Sequence, residues 1–267
     1  MSIPMIICHG GAGHGAKDQP GVDEAADAGW RVLNSGGSAL EAVMVAVELM
    51  ENNPRLNAGT GGRHRSDGSV QLDAAVATSD GRLGLVMAIE DTPNPVKVAA
   101  DILDEEFHIL AGRGARVYAD NKGHLKASVQ GSSRPSDSDT VGAVARDEKG
   151  GIAVASSTGG CSGRPPGRVG DTPMWGSGLW CNEDIAVAAT GIGEEIMLQM
   201  LCHRVALENQ ESGELLNSLQ WGLELFDEDI EVGMIAITMD SGAGLANTKM
   251  PWALREGVGT TSELHDV

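Results

Sequence analysis

The apolar positions of the chain recur with two periods, one typical of helices and one typical of strands. Between residues 38 and 50 they recur every three or four residues, which predicts an amphipathic helix. Ser38 and Glu41 are spaced as a capping box, so we expect this helix to begin beside Ser38. Comparable patterns predict further helices over residues 94–103, 194–208 and 214–226.

Shorter apolar runs predict strands. They cover residues 5–8, 70–76, 141–145, 152–156, 185–190 and 234–239. A turn at residues 147–151 separates two of these runs, so this pair is expected to form an antiparallel hairpin. Strands in hairpin-like pairs, with helices grouped between them, favour an α+β fold built from stacked layers around a mostly antiparallel sheet.

A polar stretch occupies residues 122–139, carries several serines and one proline, and shows neither period, so it is interpreted as a linker. Thr140 follows it and opens the next predicted strand. A chain break after Asp139 would give Thr140 both a hydroxyl nucleophile and a free α-amine able to take the hydroxyl proton. Such an amine has a pKa of roughly 7.7–8.0, suitable for a base working near neutrality. The alternative is a β-branched residue that merely opens a strand.

Composition narrows the classes of partner. The chain has 267 residues, with 19 Lys and Arg against 38 Asp and Glu, so its formal net charge is −19. This excess of negative charge argues against nucleic acid or an anionic membrane as a partner. An aromatic content of 3% also argues against a nucleic-acid binder that stacks bases. No run reaches the roughly 20 apolar residues of a membrane span, and no signal-peptide pattern precedes the first strand, so a cytoplasmic location is expected.

The reactive side chains give no sign of a cofactor. The four cysteines form no C-x-x-C pair and no disulfide framework, so reduced thiols are expected. His, Cys, Asp and Glu nowhere combine with the spacing of a metal site. The expected partner is therefore a small-molecule substrate, with no cofactor.

Glycine-rich motifs occur on both sides of Thr140 in a distinctive order. They are His9-Gly10-Gly11-Ala12-Gly13, Leu56-Asn57-Ala58-Gly59-Thr60-Gly61, Ser66-Asp67-Gly68, Leu72-Asp73-Ala74, Ser138-Asp139-Thr140-Val141-Gly142, Ser156-Ser157-Thr158-Gly159-Gly160, Gly167-Arg168-Val169-Gly170-Asp171-Thr172-Pro173 and Ala189-Thr190-Gly191-Ile192-Gly193-Glu194. In this order and at these separations, the set resembles the plant-type L-asparaginase / isoaspartyl peptidase family of N-terminal-nucleophile hydrolases. The resemblance covers nearly the whole chain.

The resemblance implies a fold and an activity. The fold is a four-layer αββα sandwich, divided by autocleavage into an α chain (residues 1–139) and a β chain (residues 140–267) that form one structural domain. The activity is the release of L-aspartate from L-asparagine and β-aspartyl dipeptides. Thr140 would attack first the carbonyl of Asp139 and then the substrate amide. Members of the family pair as two αβ units, so a homodimer is expected.

Two charged residues form a candidate substrate clamp. The planar fork of Arg168 suits a carboxylate, and Asp171 can accept from an ammonium, so together they fit an amino-acid head group. The alternative is an ion pair in a loop, worth about 0–1 kcal/mol at a surface. Thr158, at the end of the second strand of the predicted hairpin, can lie beside Thr140 and hold its hydroxyl by hydrogen bonding.

The resemblance implies the remaining site residues. It places an oxyanion hole at the Thr190 hydroxyl and the Gly191 N–H, and it places Gly193 near the substrate amine. Asn57 corresponds to the active-site asparagine of the α chain. The segment of residues 51–56 resembles a loop that binds a structural sodium ion through backbone carbonyls.

Some positions depart from the family pattern, namely Arg63-His64-Arg65, Trp175 and Trp180. Residues near the rim of the pocket set which group is attached to the aspartyl unit, so these departures leave the identity of the leaving group open. A glycosylasparaginase-type hydrolase shares the nucleophile and the clamp, and it remains an alternative. A non-catalytic, glycine-rich nucleotide-binding protein is a third interpretation, from another class.

Overall fold

Seven α-helices, a short 3₁₀ helix at Gly59–Gly61 and two β-sheets account for the regular structure of residues 2–132, 134, 140–257 and 259–265, which a computed structural model describes. Asp139 lies outside these residues. The strands are β1 Met5–His9, β2 Leu72–Thr78, β3 Leu83–Ile89, β4 Ile109–Ala111, β5 Val141–Arg146, β6 Ile152–Thr158, β7 Leu179–Cys181, β8 Ile185–Gly191, β9 Val232–Thr238, β10 Gly242–Ala246, β11 Met250–Glu256 and β12 Gly259–His265. The helices are α1 Gln19–Asn34, α2 Ala39–Glu51, α3 Pro95–Ile102, α4 Gly112–Asn121, α5 Gly193–Gln199, α6 Leu201–Ser212 and α7 Leu215–Leu223.

The strands form one large and one small sheet. The large sheet has eight strands in the order β12-β11-β1-β5-β6-β2-β3-β4, and the small sheet has four in the order β10-β9-β8-β7. The strands pair antiparallel, apart from the parallel pair β3 and β4. The prediction of mostly antiparallel sheets is therefore confirmed.

Three apolar clusters show how helices and sheets pack. The first joins α1 to α4 with the large sheet, the second joins the two sheets, and the third joins α5 to α7 with the small sheet. Strand β5 shows the division most clearly, because Val141, Ala143 and Ala145 belong to the first cluster and Val144 to the second. Alternate residues of this buried strand thus face different layers, as the pleat requires.

The predicted hairpin and the predicted cap are both present. Strands β5 and β6 pair antiparallel around a turn in which Asp147 accepts hydrogen bonds from the backbone N–H groups of Lys149 and Gly151, each at 2.9 Å. The other Asp147 oxygen accepts from the N–H of Ala39 at 3.0 Å, in the first turn of α2. Ser38 caps that helix, and Glu41 completes the capping box. The turn of the hairpin is thereby fixed to the helix that covers it.

One expectation about the chain path was wrong. The single helix predicted over residues 194–208 is interrupted at Met200, whose φ of 49° is left-handed, so α5 and α6 are separate helices. Some residues of the predicted linker are hydrogen-bonded to the rest of the domain. The N–H of Ala127 donates to Asp91 O at 3.1 Å, and the N–H of Ser132 donates to Gly62 O at 2.7 Å.

Two further features bear on the environment of the chain. All four cysteines are buried free thiols, as the spacing predicted. Among the helices built from described residues, none combines the length and the apolar character needed to cross a bilayer.

Candidate active site

Adjacent strand ends bring Thr140 and Thr158 together at one end of the large sheet. Val141 of β5 lies opposite Ser157 of β6, so continuing the register by one residue places Thr140 opposite Thr158. On the other side of β6, Asp73 at the start of β2 is opposite Thr158. The cavity at this end has a volume of about 10 Å³, room for about one water molecule. Its lining includes Thr140, Thr158, Arg168, Asp171, Gly191 and Gly193.

The hydroxyl of Thr140 has a neighbour that the sequence did not point to. Thr140 is buried, with 4% of its surface exposed, and its Oγ1 forms a hydrogen bond of 2.9 Å with Oγ1 of Thr172. Thr158 lines the same cavity, and its Oγ1 accepts from the N–H of Gly160 at 3.0 Å. Position 172 directly follows the clamp residue Asp171, and a hydroxyl at that position was the available signal.

Arg168 pairs with a carboxylate that sequence reasoning missed. Its Nε and Nη2 donate to the two oxygens of Glu194 at 2.9 and 2.6 Å, a bidentate arrangement. Glu194 follows Gly193 at the start of α5, directly after the strand that ends at Gly191. A Cβ on Gly193 would lie 2.7 Å from Oδ1 of Asp171 and 3.2 Å from Nη2 of Arg168. The absence of a side chain at position 193 therefore keeps open the space between the two clamp groups.

The carboxyl group of Asp171 is buried and incompletely hydrogen-bonded. Its Oδ2 is buried and has no hydrogen-bond partner among the described residues. Burial raises the pKa of Asp171 to about 7, and Arg168 opposes this shift only in part. A cationic ligand at this position would supply the missing partner and favour the ionised form.

The burial of Asp171 predicts a pH dependence of stability. The folded protein keeps the proton up to about pH 7, whereas the ordinary pKa is 3.8, so the free energy of unfolding should fall as the pH rises between these values. Asp171→Asn should reduce this slope, as measured by urea unfolding at a series of pH values. The control is Asp73→Asn, because burial raises the pKa of Asp73 only to about 6 and its effect should end at lower pH. An unchanged slope between pH 6 and 7 in Asp171→Asn would contradict the assignment.

Gly191 adopts a backbone conformation that requires glycine. Its φ is 146°, and a Cβ on it would overlap the backbone carbonyl of Glu231. The preceding residue, Thr190, is fully buried, and its Oγ1 accepts from the N–H of Ala12 at 3.1 Å. The Thr190 hydroxyl keeps its own proton for donation, so both predicted oxyanion donors lie at the end of β8.

Asn57 is connected to the wall of the cavity. Its side-chain amide donates to Gly160 O at 2.8 Å, and its own carbonyl accepts from the N–H of Gly159 at 3.1 Å. Asn57 is 1% exposed. The loop that carries it is thereby held against the end of β6, beside Thr158.

The residues that depart from the family pattern lie in two different parts of the structure. Trp175 stacks on Trp180 with ring centroids 4.6 Å apart, and Trp180 stacks on His203 at 4.4 Å. Trp180 and His203 line a cleft of about 270 Å³ that shares no lining residue with the Thr140 cavity. Arg65, in contrast, lies against Gly160, which lines the Thr140 cavity.

Comparisons with known proteins place the chain in a family. A family model described as asparaginase matches residues 2–132 and 124–262. An isoaspartyl peptidase/L-asparaginase of Danio rerio is 35% identical over 94% of this chain and 92% of that protein. A plant-type L-asparaginase of Pyrobaculum calidifontis is 32% identical over 83% of this chain and 85% of that protein. An isoaspartyl peptidase of Salmonella typhimurium is 32% identical over 77% and 79%, respectively.

The class defined by these matches is that of a hydrolase. The chain belongs to the asparaginase family.

Proposed function

We propose that the protein releases L-aspartate from L-asparagine and from β-aspartyl dipeptides, with Thr140 as its nucleophile. The observation that carries the proposal is that Thr140, Arg168 and Asp171 line the same cavity. A hydroxyl next to a cation and a carboxyl group suits an amino acid whose side-chain amide is attacked. The names of the relatives from Danio rerio, Pyrobaculum calidifontis and Salmonella typhimurium support the substrate class.

Activation of the enzyme requires a cut before Thr140. Its Oγ attacks the carbonyl carbon of Asp139, the peptide C–N bond breaks as an ester forms, and water hydrolyses the ester. The products are a carboxylate on Asp139 and a free α-amine on Thr140. A cavity of about 10 Å³ is too small for an aspartyl unit, which supports a step that opens it. We place the boundary between an α chain (residues 1–139) and a β chain (residues 140–267) at this bond.

The same hydroxyl then acts on the substrate. The α-amine of Thr140 takes the hydroxyl proton as Oγ attacks the side-chain carbonyl carbon, and a tetrahedral oxyanion forms. The Gly191 N–H and the Thr190 hydroxyl donate to that oxyanion. The C–N bond breaks as the leaving amine takes the proton from the Thr140 amine. Water then hydrolyses the aspartyl ester, which releases L-aspartate and restores the threonine.

The clamp selects the amino-acid end of the substrate. Arg168 would bind the α-carboxylate, and its bidentate pair with Glu194 holds the guanidinium in place for that contact. Asp171, together with the open space at Gly193, would receive the α-ammonium. Thr172 positions the nucleophile through its hydrogen bond to Oγ1 of Thr140. Asn57 holds the wall formed by Gly160.

The packing of helices and sheets supports the four-layer αββα sandwich of N-terminal-nucleophile hydrolases. The first and third apolar clusters join helices to the outer faces of the two sheets, and the second joins the sheets to each other. We also propose that two αβ units pair as a homodimer, which light scattering coupled to gel filtration tests by giving twice the mass of the chain. A single-chain mass across the working concentrations would refute it.

We also propose a structural sodium ion at the loop after α2. Backbone carbonyl oxygens lie close to two glycines of this loop: Glu51 O is 2.5 Å from the position of a Cβ on Gly59, and Leu56 O and Pro54 O are near that of a Cβ on Gly61. Oxygen ligands of this kind suit a hard cation. Bound there, the ion would fix the loop that carries Asn57. An unchanged melting temperature when choline replaces sodium would argue against it.

A substrate panel tests the proposed activity. The panel contains asparagine, β-Asp-Leu, a glycosylated asparagine and γ-Glu-Leu as the control, with released aspartate or glutamate measured for each. We expect aspartate from the first two and no glutamate from the γ-glutamyl compound. Release of aspartate only from the glycosylated compound would instead support a glycosylasparaginase. No release from any aspartyl compound by processed protein would refute the proposal.

A further inference from the structure

Arg65 is a buried cation at the same end of the large sheet as Thr140. It is 2% exposed, and its guanidinium extends from the end of β6 to the start of β2. Nη2 donates to Gln71 O at 3.2 Å, just before β2. Nη1 lies 2.5 Å from the position that a Cβ on Gly160 would occupy, just after β6. The guanidinium therefore lies against Gly160, a residue that lines the Thr140 cavity.

Part of the hydrogen-bonding capacity of the Arg65 guanidinium is unused. Nε and Nη1 of Arg65 are buried, and neither has a hydrogen-bond partner among the described residues. Among the carboxyl groups that attract Arg65, Asp73 has the largest effect, and the described part of the chain contains no ion pair of Arg65 within 4.0 Å. Asp73 receives the N–H of Ala88 at 2.7 Å. A buried cation with unused donors is costly, and an anionic ligand that accepts from them would offset this cost.

The position of Arg65 suits the leaving group rather than the aspartyl unit. Arg168 and Asp171 already account for the two charges of the aspartyl head group. Arg65 lies beyond the end of β6, the strand next to β5, and neighbouring strands are about 4.8 Å apart. In a β-aspartyl dipeptide, the carboxylate carbon of the leaving residue lies about 3–4 Å from the scissile carbon, since only N and Cα intervene. A carboxylate at that distance from the attacked carbon falls within reach of a guanidinium one strand away.

We propose that Arg65 binds the α-carboxylate of the leaving amino acid and thereby favours β-aspartyl dipeptides over asparagine. The inference rests on the proposed function and adds a specificity-determining residue to it. Asparagine releases ammonia and offers Arg65 nothing to bind. A dipeptide offers a carboxylate that can accept from both Nε and Nη1, and charge-assisted pairs of this geometry are strong.

Three substrates isolate this contact, namely β-Asp-Leu, its C-terminal amide and asparagine. The wild-type protein should cleave β-Asp-Leu with a kcat/KM about tenfold or more above that of the amide, because the amide lacks the charge. Arg65→Gln should lower kcat/KM for β-Asp-Leu about tenfold or more and change the values for the amide and for asparagine less than about twofold. Arg82→Gln is the matched control, since Arg82 is half-exposed and pairs with Asp80 and Asp104 at the surface. It should leave all three values unchanged.

The outcomes separate this inference from the proposed function. Equal kcat/KM of wild-type protein for β-Asp-Leu and its amide would overturn the inference even if Arg65→Gln failed to fold. An equal loss on all three substrates in folded Arg65→Gln would also overturn it, because Arg65 would then only support the fold of the site. Absence of cleavage of all three substrates by processed wild-type protein would refute the proposed function itself.

Discussion

Thr140→Ala should remove both processing and hydrolysis. The variant has no Oγ to attack either the Asp139 carbonyl or a substrate amide, so we expect one uncut chain and a loss of kcat of about 10⁴-fold or more. Because Thr140 precedes β5, the loss of its γ-atoms should leave the pairing of that strand intact. Denaturing gels and aspartate release from β-Asp-Leu provide the two measurements.

Thr140→Ser is the matched control for that prediction. It keeps a hydroxyl, and with it the hydrogen bond to Thr172, so processing and at least part of the activity should remain. A Thr140→Ala protein that is cut as fast as the wild type, or that turns over substrate at a comparable rate, would exclude Thr140 as the nucleophile.

Gly191→Ala should cause the second large effect. A Cβ at this position overlaps the carbonyl of Glu231, and the φ of 146° is itself unfavourable for alanine. Strain and overlap together predict a loss of about 3 kcal/mol or more in the free energy of unfolding. Any relaxation must move the Gly191 N–H, so kcat should fall by about 10²–10³ as for the loss of one oxyanion donor. Urea unfolding and steady-state kinetics measure the two effects.

Gly81→Ala separates the overlap at Gly191 from the conformational penalty alone. Gly81 has a φ of 88°, and nothing lies within 4 Å of the position its Cβ would take. A loss of about 1–2 kcal/mol and unchanged kcat are expected for this control. Similar stability losses in the two variants would contradict the close approach of Glu231 to Gly191.

Local patterns were sufficient for the parts of the fold that local chemistry determines. The capping box of Ser38 and Glu41 located the start of α2, and alternation around the turn at Asp147 located the hairpin of β5 and β6. The hairpin in turn placed Thr158 beside Thr140. Once a register is known, the residues at two strand ends follow from it.

Helix α1 shows why other parts could not be predicted. It begins at Gln19-Pro20-Gly21, and half of its buried residues are alanines, so its apolar signal is weak. A Cβ on Gly29 would lie 3.0 Å from the carbonyl of Ala42 in α2. Small residues are used here for close approach between helices, and that requirement becomes visible only when both helices are in place.

The partners within the site depend on tertiary structure. Glu194 meets Arg168 across 26 positions of sequence, and Thr172 meets Thr140 across 32. No periodicity records such pairs, since they follow from how loops return to this end of the sheet. The sequence did indicate Arg168 and Asp171 from their charges, whereas the hydrogen bonds that hold them required the fold.

The decisive measurement is the mass of the purified wild-type protein under denaturing conditions, together with the N-terminal sequence of each fragment. We expect two fragments whose masses sum to that of the chain plus one water, the second beginning Thr140-Val141-Gly142. Fully active protein that consists of the uncut chain, or a cut at any other bond, would contradict it.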